Sequence, residues 1–268
     1  MTHSQNEYFG GPLIKLVQEK CDLLWPLLKD DPRFCFHGRA VGLADMQFGD
    51  LEPLVSLTKL TGAGACDYVP VEEVEKLQSS LEALGLKSDR MEVWRSDGST
   101  IDAAREIIAT SRWPVADDLV WVDAHTTGAE MQKLDEFTQE HGTSLPMGSF
   151  LRGVEKPAVC AYVCDEDGRV IVTSASVGQY HDSHQNSDMA YWGMLATRED
   201  NRGQGAALAL GAHAIVAMYE RHGLGRFFTA IKDGNTASEN LCSKLGFSRK
   251  KAAVLIAIDT SVLPASDG

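Results

Sequence analysis

Arg198-Glu-Asp-Asn-Arg-Gly-Gln-Gly-Ala-Ala-Leu208 is the stretch whose reading decides the fold. It runs into a long apolar helix pattern, and its two glycines and two alanines leave little side chain at the helix start. The first turn of a helix carries backbone N–H groups without internal partners, at the positive end of the helix dipole. Phosphate binds such a terminus when side chains do not block it. Gly203, Gly205, Ala206 and Ala207 meet that need, with Arg202 in front of them. The competing reading is a helix packed closely on a sheet through small residues, which Ala209, Gly211 and Ala212 suggest further along. Two familiar phosphate loops do not fit. A nucleoside-triphosphate loop needs Gly-Lys-Ser/Thr, and a dinucleotide fingerprint needs a third glycine where Leu208 stands.

Working outward, the second half alternates clear signals. Leu119–Val122 reads as a strand and Ala129–Glu140 as a helix. Ala158–Cys164 and Val170–Ser176 flank Asp165-Glu-Asp-Gly168, a hairpin signature. Met189–Thr197 is the strand before the quoted loop, and a helix over about 204–222 follows it. Arg226–Ile231 reads as a strand, Asn235–Leu245 as a helix stopped by Gly246, and Ala252–Ile258 as a final strand. Hairpins mixed with strand-helix-strand steps predict a mixed α/β fold: a largely antiparallel twisted sheet with helices on both faces.

Arg202-Gly-Gln-Gly-Ala-Ala207 also matches R/Q-x-x-G-x-G/A, and downstream stands Asn235-Thr-Ala-Ser-Glu-Asn-Leu-Cys-Ser-Lys-Leu-Gly-Phe247. Together, in this order and spacing, they resemble the GCN5-related N-acetyltransferases (GNAT) from about residue 118 to 262. The resemblance implies an acetyl-coenzyme A binder that transfers acetyl to an amine. Its pyrophosphate would sit on the N–H groups of Gly203, Gln204, Gly205, Ala206 and Ala207, beside Arg202. The pantetheine arm would pair with exposed backbone at Leu195, Ala196 and Thr197 as an added strand. Asn235 and Ser238, at the start of the next helix, would contact the arm; Asn235 equally suits an N-cap.

The implied chemistry is direct attack of an amine on the thioester, which requires a base, an oxyanion donor and an acid for the departing thiolate. An amide near Leu195 or Ala196 is the expected donor. The base is left open among His181, His184, Tyr191 and Asp233. Cys242 stands where the family usually has its tyrosine acid, so Cys242 and Tyr191 are the catalytic candidates. Cys242 as a neutral thiol could give a proton; as a small residue it could equally fill space. His181-Asp-Ser-His184 has a metal-like spacing but no further ligands, so no metal is expected. A non-catalytic acyl-coenzyme A-binding or regulatory module is the alternative function.

The first half is less legible. Residues 8–29, Val71–Leu84 and 101–110 read as helices, Phe34–Gly42 and Met91–Trp94 as strands. Leu81–Trp94 can be laid over Cys242–Leu255, each a helix ending in Leu-Gly-apolar before a strand. A truncated GNAT-like repeat and a chance likeness both fit. Thr61-Gly-Ala-Gly-Ala65 is glycine-rich but lacks the arginine, and its spacing to Gly85 is too short for an equivalent helix and strand. One cofactor site is therefore expected. A boundary at 111–118 divides the chain into a smaller α/β domain, 1–112, and the acetyltransferase domain, 118–268.

Composition sets the outer limits. The 268 residues are 44% hydrophobic with a net charge of −13, which argues against nucleic-acid binding. An acidic surface could favour cationic amine substrates, though solubility explains it as well. The acceptor is expected to be a small-molecule or peptide amine, its pocket built from loops around 140–155 and 178–188. No membrane span or signal peptide is apparent. Six scattered cysteines read as reduced, mostly buried thiols, the pattern of a cytoplasmic protein, and a homodimer is compatible with these features.

Overall fold

The computed structural model describes residues 7–46, 50–113 and 119–262. The first half builds α1 (Pro12–Leu28), β1 (Phe34–Phe36), β2 (Val41–Leu43), α2 (Glu52–Thr61), β3 (Ala63–Pro70), α3 (Val71–Ala83), β4 (Lys87–Ser96) and α4 (Thr100–Thr110). The second half builds β5 (Val120–Trp121), α5 (Gly128–Glu140), α6 (Gly148–Leu151), β6 (Ala158–Cys164), β7 (Val170–Gly178) and β8 (Met189–Thr197). It continues with α7 (Ala206–His222), β9 (Arg226–Ile231), α8 (Thr236–Lys244) and β10 (Phe247–Ile258).

Local chemistry explains the sharper boundaries. Thr127 and Glu130 form a reciprocal capping box at the start of α5. Gly223, in the left-handed conformation, ends α7 by donating its N–H to Tyr219. Every residue of β7 is buried, because helices cover both faces of the sheet there. Gly211 answers to close packing: a Cβ there would lie 2.7 Å from the Trp192 ring. The fully buried Trp192 donates its indole N–H to the Gly211 carbonyl at 3.1 Å. Small residues within α7 thus serve its packing on the sheet.

Among the described residues, ten strands form one sheet in the order β1-β2-β3-β10-β4-β9-β8-β7-β6-β5. Its first eight places read alike from both ends. Helix α2 joins the parallel pair β2–β3, as α7 joins the parallel pair β8–β9. β1 runs antiparallel to β2, as β7 does to β8. After α3, β4 leaves its own half to pair with β9; after α8, β10 crosses to pair with β3. The two crossed strands meet antiparallel at the centre. The overlay of Leu81–Trp94 on Cys242–Leu255 therefore corresponds to two equivalent helix-strand units.

Two expectations change. A division into 1–112 and 118–268 does not separate two sheets, because β4 is hydrogen-bonded between β9 and β10. Residues 114–118 of the expected boundary lie outside the described residues. Thr61–Ala65 is not a helix start either: it ends α2 and begins β3, neither of which the sequence reading found. The counterpart of the quoted loop lies upstream, between β2 and α2, so the short spacing after Gly64 is no obstacle to a repeat. Pro53 disguised α2, but it sits in the first turn, where no N–H partner is required.

Candidate active site

β8 and β9 pair only over Met189–Tyr191 and Arg226–Phe228. Beyond that they diverge, leaving the β9-facing edge of β8 open. At the divergence Met194 has φ +54°, the one non-glycine with positive φ among the described residues. Met194 and Leu195 together oppose the single residue Ser174, since Thr173 pairs with Ala196 and Ala175 with Gly193. This bulge re-aims the strand's amides, a strain that persists only where surroundings enforce it. Thr173 Oγ1 holds it by donating to the Met194 carbonyl at 3.0 Å.

One cleft, of about 520 Å³, follows the open edge through Leu195, Ala196 and Thr197 to the start of α7. Gly203 and Gly205 have φ of +73° and +89°, and a Cβ at either would meet nothing within 4 Å. The space before the helix is therefore open, at the positive end of its dipole. Arg202 Nε donates to the Thr197 carbonyl at 3.2 Å, tying the loop to the strand end. Gln204 turns away: its side chain donates to the Asp200 carbonyl at 2.7 Å and does not line the cleft, leaving only its backbone to serve. Asn235 caps α8, accepting from the Ser238 N–H at 3.2 Å, and both residues line the cleft. Sequence reasoning missed Asn201, whose buried Oδ1 has no partner, and Lys244. Lys244 could have been found, because it lies on the Ala237–Leu241 face of α8.

A second cavity, of about 590 Å³, shares His141, Leu195, Asn235 and Ser238 with the first and runs beneath α1 across both halves of the sheet. Cys242 and Tyr191 line it. Burial pushes the Cys242 thiol up to about 12. Tyr191 stacks on His37 at 5.0 Å and reaches along its strand, so that a Cβ on Gly193 would lie 3.4 Å from its hydroxyl. The other expected base candidates lie elsewhere. His181 bonds to Ser183, His184 faces Asp45 at 3.6 Å, and Asp233 lines a different cleft. Of the loops expected to build the pocket, 141–144 contributes, while 178–188 does not; α1, β4 and β10 do.

His141, unforeseen, stands where the two cavities meet. Its Nδ1 lies 2.7 Å from the Phe137 carbonyl, so Nδ1 carries the hydrogen and Nε2 the lone pair. His37 is a poor base: burial, then the nearby Arg39 charge, lower it to about 3.

The sheet split, its bulge and the open helix start define the fold class of the GNAT acyltransferases. Residues 127–247 match the family model described as the acetyltransferase (GNAT) family, and the chain thus carries a domain of that family. Among solved structures it resembles a GCN5-related N-acetyltransferase from Kribbella flavida (TM-score 0.52, 11% identity, covering 82% of this chain and 80% of that one). A GCN5-related N-acetyltransferase-like protein from Streptococcus suis is similar too (TM-score 0.51, 17% identity, 76% of each chain). So is a tandem GNAT protein from the clavulanic acid biosynthesis pathway (TM-score 0.50, 14% identity, 81% of this chain and 74% of that one). At such identities the likeness is one of fold. No curated protein matches the chain in sequence.

Proposed function

We propose that the protein is an N-acetyltransferase that moves acetyl from acetyl-coenzyme A to a primary amine by direct attack. The observation that carries this reading is that the two cavities adjoin through shared lining residues: an open, dipole-positive helix start beside one, a pocket between the two halves at the other, and the bulged strand along both. The residues fit the cosubstrate. Gly203 to Ala207 offer N–H groups to a pyrophosphate, Leu195 to Thr197 offer an unpaired strand edge, and the orphaned Asn201 oxygen offers an acceptor.

The bound thioester supplies an activated carbonyl carbon and a thiolate leaving group. His141 Nε2 takes the proton that the ammonium must lose before its nitrogen can attack. The bulge turns an amide near Leu195 towards the developing oxyanion. As the carbon–nitrogen bond forms and the carbon–sulfur bond breaks, Tyr191 rather than Cys242 gives the thiolate its proton. An acid near 12 would transfer to an ordinary thiolate uphill by about 4 kcal/mol. The Cys242 side chain instead fills the wall of α8.

Titration calorimetry with acetyl-coenzyme A tests the placement. One molecule should bind per chain, and Gly205→Glu should weaken affinity at least ~100-fold by putting bulk and charge where phosphate sits. Gly205→Ala, which carries the same backbone strain, should lose far less. Equal losses would sink the placement. Release of coenzyme A thiol with a panel of amines separates an enzyme from a non-catalytic binding module, which would bind and release nothing.

A further inference from the structure

We propose that the acceptor is an amine bearing a free carboxylate, an apolar amino acid in its simplest form, and that Arg39 holds the carboxylate. This rests on the acetyltransferase reading and adds to it the class of acceptor. The chain as a whole carries a net charge of −13, yet none of the described residues lining the deep cavity is Asp or Glu. Two cations line it, Arg39 and Lys232. Lys232 pairs with Asp89 at 3.4 Å, at a largely exposed position. Arg39 has no ion pair among the described residues, and its Nε and one Nη are shut off from solvent with no acceptor at all.

A guanidinium with donors buried and unbonded is costly, and its planar fork matches a carboxylate with two parallel hydrogen bonds. The described residues around it supply no such group. His37 beside it is neutral, and the Tyr191 ring, 5.9 Å from the guanidinium carbon, offers only a weak cation–π contact. The placement is also fixed. Arg39 follows Gly38 on the turn between β1 and β2, where a Cβ on Gly38 would lie 2.8 Å from Phe150. The Gly38 carbonyl accepts from the Met147 N–H at 2.8 Å, clamping that turn to the second half. Leu13, Ile14, Met91 and Ile256 give the cavity an apolar stretch of wall. They suit a hydrocarbon body, whereas a phosphate dianion would need more donors than one guanidinium. The carboxylate would lie at the Arg39 end and the amine towards Gly193 and the bulge. A peptide N-terminus, whose nearest carboxyl is an amide, lacks the matching group.

The test compares leucine, methionine and phenylalanine with their amides. With the wild-type enzyme, kcat/KM for the best acid should exceed that for its amide roughly 10- to 100-fold, the worth of hydrogen bonds to a charged group. Arg39→Gln should erase that preference, chiefly through KM, and Arg39→Lys should restore part of it. Acetyl-coenzyme A affinity should stay at the wild-type value in both variants, which shows that they fold. An amide turned over as well as its acid, or Arg39→Gln slowing both alike, overturns the proposal. Binding of the N-acetyl amino acids in the presence of coenzyme A gives a readout independent of turnover. Arg39-dependent binding of the acid without any acetyl transfer would uphold the carboxylate site while refuting the enzyme. Binding of neither N-acetyl acid nor N-acetyl amide would overturn the site itself.

Discussion

Helices α7 and α2 occupy the same place in the two halves, each linking a parallel pair of strands, yet their starts are opposites. α7 begins with an open Gly203-Gln-Gly205 loop behind Arg202, its approach clear of side chains. α2 begins with Asp50, Leu51, Glu52 and Pro53, and Asp50 already accepts from the Glu52 N–H at 3.0 Å. One start is open and free of acid; the other is partly satisfied from within and carries acid that would repel an anion. Topology alone therefore makes no anion site. The first half repeats the frame of strands and helices, and in the carboxylate-site proposal its contribution is Arg39, on the turn between β1 and β2, which lines the cavity beside the second half's split. The two halves are unequal partners in one site.

The largest effect comes from separating them. A chain of residues 118–268 would leave β9 without β4 and β10 without both neighbours, exposing long hydrophobic edges at the centre of the sheet. It is expected not to fold alone, as judged by loss of a cooperative thermal transition. Coexpression with residues 1–113 should restore the transition and acetyl-coenzyme A binding. A cooperative melt of the fragment by itself would mean that the second half is an autonomous domain after all.

A smaller effect is expected at the seam. Asp67 on β3 is buried, accepting from the Cys35 thiol of its own half and from Gln179 of the other. Burial raises its carboxyl to about 6, above the unfolded value, in spite of these bonds. The folded protein then binds a proton more tightly than the unfolded chain. Stability should fall as pH rises from about 4 to about 6, by up to about 3 kcal/mol, and level off above. Asp165 and Asp31, lowered by their arginine partners, impose the opposite slope at lower pH, so the contrast with Asp67→Asn isolates the seam. Urea unfolding across this range should show the variant gaining on the wild type. A constant difference would remove Asp67 from the coupling between halves.

How far the sequence carried this picture follows from where the information resides. The helix-start loop, the Asn235 cap and the Asp165–Gly168 hairpin are local, and residue type alone settles them. The bulge at Met194 was hidden because a positive φ at methionine is enforced by neighbouring strands. Crossing of β4 and β10 is a choice of partner, and each strand's pattern would have served equally well beside its own half. His141 lay beyond a well-read helix, but nothing in Glu140-His141-Gly142 says that two cavities meet there. Arg39 was passed over for the same reason: its missing partner can be seen only once the walls are assembled.

The smallest expected effects concern which side chains move protons. If His141 takes the amine's proton and Tyr191 returns one to sulfur, His141→Ala and Tyr191→Phe should each lower kcat roughly 100-fold or more, the usual worth of a positioned acid or base. Acetyl-coenzyme A affinity should barely change. Phenylalanine keeps the ring that stacks on His37 and meets Phe228, so the loss would report the hydroxyl alone. Cys242→Ala removes one buried sulfur beside Leu245 and Trp192 in the same packed cluster. A small cavity there costs about 1 kcal/mol of stability, and turnover should fall only a few-fold. Single-turnover rates with saturating acceptor separate these outcomes from product release. A loss at Cys242 larger than that at Tyr191 would reverse the assignment. The thiol would then have to be acidified by the bound cosubstrate, and the pH profile of the wild-type rate would show it.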